Sequence, residues 1–166
     1  MSANDLRLTH LPPVKAAMPI RRPLSEVFNA FADPTVTTRF WFTHSTGPMV
    51  PGATVEWRWE VQDLSTKVRV REFDQDERIV FEWNDDAPTT VEFRFLPWDD
   101  DATYVQVVET GLAGDGDSIL GHVAGSTAGF YQVLCSAKAL LEHDVELNVV
   151  RDQGLVQKSP PAGLDA

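Results

Sequence analysis

A single cysteine, Cys135, stands in 166 residues. That excludes an internal disulfide, and without a second thiolate it excludes a cysteine-based zinc site as well. A reactive thiol needs neighbours that stabilise its thiolate. Cys135 instead lies within an apolar helical pattern and is expected to be a packed core residue. Basic residues are scarce too: Lys and Arg total 14 against 25 Asp and Glu, a net charge of −11. So acidic a surface repels nucleic-acid phosphates and anionic lipid headgroups. No stretch approaches the roughly 18 uninterrupted apolar residues of a membrane span. The first twenty residues carry Asp5, Arg7, His10 and two prolines and lack the apolar core of a secretory signal. The chain is therefore expected to be cytoplasmic, with neither nucleic acid nor membrane as partner. HxH, HExxH and clustered Asp/His spacings are missing, so no metal site is expected. Gly111, Gly114 and Gly116 lack the strand-to-helix context of a nucleotide loop, and GHVAGS lacks the Gly-x-Ser-x-Gly elbow of a serine hydrolase. No cofactor is expected.

What is present fits one globular domain. The hydrophobic fraction is 43% and the aromatic fraction 10%, ordinary values for a chain that buries a core. Residues 1–14 are polar and proline-marked and read as an N-terminal extension; residues 151–166 lack periodicity, contain Pro160-Pro161 and read as a disordered tail. Residues 15–150 remain as a continuous domain without an internal repeat.

The hydrophobic period organises that domain. Val14 to Arg22 suggests an opening strand. After Pro23, Leu24, Val27, Phe28 and Phe31 predict a short helix, and Asp33-Pro34 breaks it and caps a second. From Ala53 the period becomes two. Val55, Trp57, Trp59 and Val61 alternate with charged residues; Val68 and Val70 follow, then Ile79, Phe81 and Trp83, then Val91, Phe93 and Phe95, then Thr103, Val105 and Val107. Short strands joined by polar turns predict an antiparallel meander. After GLAGDGDS the period returns to helical, through Phe130, Val133, Leu134, Ala137, Leu140, Leu141, Val145 and Asn148, which predicts one long helix over about 126–149. Its broad apolar stripe has only the sheet to pack against. The fold class is α+β, a sheet wrapped around a helix, with two short helices after the first strand.

That order and its local wording resemble the activator of heat-shock protein 90 ATPase homologue-like family of the START-like superfamily. The resemblance spans about residues 15–145 and rests on IRRPLSEVFNAFADP at 20–34, the pair Trp41-Phe42, VREFDQDERIVFEW at 70–83, VVETGL at 107–112 and GFYQVLCSAKALLE at 129–142. It implies a helix-grip fold, a curved antiparallel sheet around the C-terminal helix with a cavity between them. Phe130 replaces the tryptophan usual there, and Ala137 stands where a larger apolar residue is common; both changes hint at a roomier interior. Eukaryotic co-chaperones of the family carry an additional N-terminal domain that residues 1–14 are too short to supply, so their activity is not expected to transfer.

The expected function is the binding of a small, largely apolar or amphipathic molecule in that cavity. Trp57, Trp59 and Trp83 sit at inward strand positions, while Trp41 and Phe42 sit where a helix hands over to a loop, near the expected mouth. Phe93, Phe130 and Leu134 extend the apolar lining. Glu72 and Glu109 continue inward-facing parities, and a buried carboxylate must be paired, so each is a candidate anchor or general acid-base group. His44 is a candidate donor or base, with His122 approaching it from the start of the long helix. Two alternatives stand beside ligand binding: a cyclase- or hydratase-like enzyme using the cavity Glu and His residues, and a chaperone-interacting module. The sequence leaves monomer and homodimer both open.

Overall fold

A computed structural model describes residues 7–164 of the chain; residues 1–6 of the expected extension and 165–166 of the expected tail lie outside the described residues. The elements are β1 (Val14–Ile20), α1 (Leu24–Ala32), α2 (Pro34–Thr37), β2 (His44–Ser45), β3 (Thr54–Trp59), β4 (Leu64–Asp74), β5 (Arg78–Trp83), β6 (Thr89–Pro97), β7 (Thr103–Thr110), α3 (Gly116–His143) and α4 (Val149–Lys158).

The seven strands form one curved antiparallel sheet in the order β1-β7-β6-β5-β4-β3-β2. Strands β2 to β7 are a simple meander, and β1 closes the far edge by pairing with β7 from Val14↔Glu109 to Ile20↔Thr103. Local chemistry sets the turns. Asp63, Asp76, Asn84, Asp99 and Asp101 all take left-handed backbone conformations between successive strands, which Asp and Asn tolerate better than other side chains. Alternation sets the faces: Val55, Trp57 and Trp59 of β3, Val91, Phe93 and Phe95 of β6, and Val105 and Val107 of β7 are all buried. Helices α1 and α2 carry the chain from one sheet edge to the other. The Asp33 carboxylate accepts from Thr35 N–H at 2.9 Å and starts α2 with Pro34 in its first turn.

Helix α3 lies in the concave face and packs beside β1. It starts at Gly116 and ends at His143, earlier at both ends than the apolar period predicts. The Asp115 carboxylate caps the start by accepting from Ser118 N–H at 2.8 Å. At the other end Asp144, with φ of 53°, turns the chain out of the helix. Val145 and Asn148, read as the last stripe positions, consequently lie exposed.

Three further readings are corrected by the fold. Cys135 is exposed, not packed; its neighbours Leu134 and Ser136 are buried, and position 135 falls on the solvent side of the stripe. Glu72 does not face inward. A bulge between Val70 and Glu72 inserts Arg71 without a partner on β5 and reverses the parity, so Phe73 takes the inner side and Glu72 pairs with Arg78 at the surface. Residues 151–158 of the expected disordered tail form most of α4. Gly154 lets this helix approach the β3–β4 turn closely, for a Cβ there would collide with the Gln62 amide, and the same amide donates to Val150 O at 2.9 Å.

Candidate functional site

Aromatic rings fill most of the space between sheet and helix. The indole of Trp57 stacks on Phe42 with centroids 4.2 Å apart and planes at 20°. Trp41 meets Trp57 at 4.9 Å and Phe93 at 5.8 Å. Deeper toward α1, Phe28 and Phe31 close on Phe95 at 5.0 and 5.6 Å. The expected interior cavity is thus largely occupied by the residues predicted to line it. Trp57 Nε1 is buried without a hydrogen-bond partner among the described residues, an unsatisfied donor of the kind that is uncommon in a folded interior.

Open space remains at one end. A recess of about 210 Å³ lies between Trp41, Trp83, Gly129, Phe130 and Val133, with Ser126 and Gln132 on its helical side and Val150 of α4 at its rim. Trp83 and Phe130 form one wall, their rings nearly parallel at 23° and 6.1 Å apart, while Trp41 meets both edge-on. Helix α3 is open here because Gly129 carries no side chain. A Cβ added at Gly129 would meet nothing within 4 Å.

Behind the Trp83 wall lies the one fully buried carboxylate among the described residues, Glu109, at 0% exposure. It occupies the last inward position of β7. Its Oε2 accepts from Thr89 Oγ1 at 2.6 Å and from Trp83 Nε1 at 3.0 Å, and its Oε1 lies 3.1 Å from His122 Nε2. Trp83 Nε1 is shared with Thr89 Oγ1 at 2.9 Å. The register of the β5–β6 hairpin makes this possible, since Trp83 stands directly opposite Thr89. Trp83 therefore joins two environments, an apolar ring facing the recess and an N–H fixed on a buried carboxylate. Such a carboxylate withstands burial because its lone pairs meet several donors.

Among the residues singled out from sequence, the structure brings together Trp41, Trp83, Glu109 and Phe130. Phe42, Trp57, Phe93 and Leu134 are buried behind them, and Trp59 borders a smaller cleft with Trp41, Gln62 and Val150. His44 and Glu72 are elsewhere. His44 is exposed on the edge strand β2, opposite Arg58, so His122 approaches Glu109 and not His44. Ala137, expected to widen the interior, is fully buried and does not border the recess. Sequence reasoning missed Thr89, Ser126, Gly129, Val133 and Val150 as members of this region. Thr89 was detectable, because it continues the inward parity of Val91 and Phe93; Val150 was not, because residues 151–158, which complete the helix that presents it, were read as tail.

No helix among the described residues is long and apolar enough to cross a membrane, and no group of three or more His, Cys, Asp or Glu side chains among them is arranged to hold a metal ion.

Comparison with solved structures supports the same architecture. A protein from Staphylococcus saprophyticus superposes with a TM-score of 0.72 at 24% identity, over 82% of this chain and 96% of that one. The Aha1 dimer from Colwellia psychrerythraea gives 0.68 at 15% identity, over 80% and 97%. DynU16, a protein of the dynemicin biosynthetic locus, gives 0.71 at 20% identity over 81% of this chain, which covers only 48% of DynU16. At these identities the likeness is one of fold. Comparison with curated protein sequences returned no match. The sequence model described as Activator of Hsp90 ATPase homolog 1-like protein, however, matches residues 21–142, from the end of β1 to the last turn of α3, and the chain belongs to that family.

Proposed function

We propose that the protein binds a small, largely apolar molecule in the recess between Trp41, Trp83 and α3. The observation that carries this reading is the combination of a bare helical segment at Gly129 with an aromatic wall at Trp83 and Phe130, leaving about 210 Å³ open beside the packed core. An apolar molecule seated there gains by leaving water and by ring stacking. The acidic surface favours a neutral or cationic ligand over an anionic one. A START-like fold supports the reading without naming the ligand.

The test uses 2-methylnaphthalene as probe, with tryptophan fluorescence as readout, and a variant that fills the recess. Gly129→Leu places a side chain into the open space and replaces a poor helix former. The expected result is at least tenfold weaker probe binding with an unchanged or raised denaturation midpoint. Full affinity in a normally folded Gly129→Leu protein would place the binding site elsewhere. Native mass spectrometry of freshly purified protein complements the titration by detecting a co-purifying molecule.

A further inference from the structure

We infer that Glu109 and His122 form a hydrogen-bond-accepting pair that selects ligands carrying a hydroxyl donor, an alcohol or phenol, beside the recess, one helical turn before Ser126; this rests on the recess being the binding site. The Trp83 side chain fixes the arrangement. An indole N–H only donates, and it points at Glu109 Oε2 together with the Thr89 hydroxyl. With two donors fixed on Oε2, the carboxylate presents Oε1 to His122 Nε2 at 3.1 Å. A carboxylate accepts and does not donate, so the neutral imidazole carries its proton on Nε2 and keeps a lone pair at Nδ1. Nδ1 has no hydrogen-bond partner among the described residues, and the His122 side chain remains 33% exposed, hence reachable.

The position fits the recess. His122 lies four residues before Ser126, on the same face of α3, and Ser126 borders the recess. Glu109 is tied to the recess from the other side through Trp83, whose ring forms its wall. His122 stands just beyond the residues that line the recess, so a ligand reaching from Trp83 past Ser126 toward the start of α3 meets one organised acceptor, His122 Nδ1, whose tautomer is held by a carboxylate that the ligand itself does not touch. Glu109 is a positioning residue in this scheme and His122 the recognition residue. Ligand selection then depends on the direction of a hydrogen bond: a ligand O–H has a partner at Nδ1, whereas an ether or ketone oxygen meets a lone pair and gains nothing.

Three probes of similar shape test this: 2-naphthol donates, 2-methoxynaphthalene only accepts, and 2-methylnaphthalene does neither. The expected order in the unaltered protein is 2-naphthol tighter than 2-methylnaphthalene by about tenfold, the worth of one hydrogen bond, with no gain for 2-methoxynaphthalene. In His122→Phe the naphthol advantage falls below about twofold while 2-methylnaphthalene still binds. Glu109→Gln gives the sharper readout. Its amide oxygen must face the Trp83 N–H, so its NH₂ faces His122 Nε2 and moves the imidazole proton to Nδ1, and 2-methoxynaphthalene then gains over 2-methylnaphthalene. A general loss of packing would weaken all three probes alike and would not create that gain. Equal binding of naphthol and methylnaphthalene by the unaltered protein overturns the inference and leaves the recess reading standing. Binding of none of the three overturns both.

Discussion

The two halves of α3 are built differently. From Phe130 onward the sheet-facing residues Phe130, Val133, Leu134, Ser136, Ala137 and Leu140 are all buried. Polar groups fasten the same half: Lys138 Nζ donates to Pro19 O at 2.7 Å and pairs with Glu142 Oε2 at 2.6 Å, and Glu142 also accepts from Arg21 N–H. Burial opposes ionisation of Glu142, yet the hydrogen bonds from Lys138 and Arg21 outweigh it and hold its carboxyl below the usual range. Before Phe130 only Ile119 is buried, and Gly121, Gly125 and Gly129 recur with His122 and Ser126 among them. Each of those glycines costs about 1 kcal/mol relative to alanine in a helix interior. The docked half sustains that cost for the whole helix, and the side-chain volume withheld from the first half is what leaves the recess open.

The largest expected effect distinguishes the halves by truncation. Leu134 is 0% exposed, and Leu134→Ala is expected to destabilise the protein by about 2–5 kcal/mol. Val123→Ala, at a half-buried position on the other half, should cost clearly less in the same denaturation experiment. Equal costs would erase the distinction. The next effect tests filling rather than emptying. Ala137→Trp forces a large ring into a fully packed site and is expected to cost about 1–3 kcal/mol. An unchanged midpoint would reveal room beside Ala137 that the structure does not contain, and would restore the roomy interior expected from sequence.

The same contrast explains what was legible in the sequence. The sheet was legible because each strand alternates over a buried face, so Trp57, Phe93 and Glu109 could be assigned inward from parity alone. Glu72 shows where parity fails: one bulged residue, Arg71, inverts it, and nothing local to the sequence marks the insertion. The docked half of α3 was legible from its apolar stripe, whereas its first turns were not, since glycine and polar residues carry no helical period. The short helix α4 was hidden by the nearby prolines and its own polarity. The Glu109 partners were hidden for another reason. They come from β5, β6 and α3, and their convergence is set by hairpin register and helix placement, which no single segment encodes.

A smaller effect distinguishes glycines that serve space from those that serve contact. Gly129→Ala adds a methyl group that meets nothing within 4 Å, and is expected to stabilise the protein by about 0.5–1 kcal/mol through helix propensity. Gly154→Ala should do the reverse, because its Cβ displaces the Gln62 amide that holds Val150. Thermal melts of the two variants check the pair. Opposite signs support an open face at Gly129 and a closed one at Gly154.

The smallest expected effect is electrostatic and belongs to the first turn of α3, where capping substitutes for burial. The Ser118 backbone N–H, and then its hydroxyl, hold the Asp115 carboxyl below its ordinary value of 3.8. A carboxyl depressed on folding adds stability that is present above its unfolded pKa and is lost as pH falls through its lower folded value. Glu142 at the docked end is depressed as well, but burial of Leu134 and Leu140 does not titrate and holds that end in acid, so acid should loosen the first turn of α3 before the docked end. In Asp115→Asn the cap survives, since asparagine also accepts from Ser118 N–H, but its charge beside the helix N-terminus is gone. Asp117, also in the first turn, is common to both proteins and cancels in the comparison. Amide hydrogen exchange at Ser118 and Ile119 provides the local measurement. Near neutral pH the unaltered protein should protect these amides better than Asp115→Asn, and the difference should close as pH falls from about 5 to about 2. A difference that stays constant over that range would show that the cap acts through hydrogen-bond geometry alone, and that charge has no part in holding the unburied half of the helix.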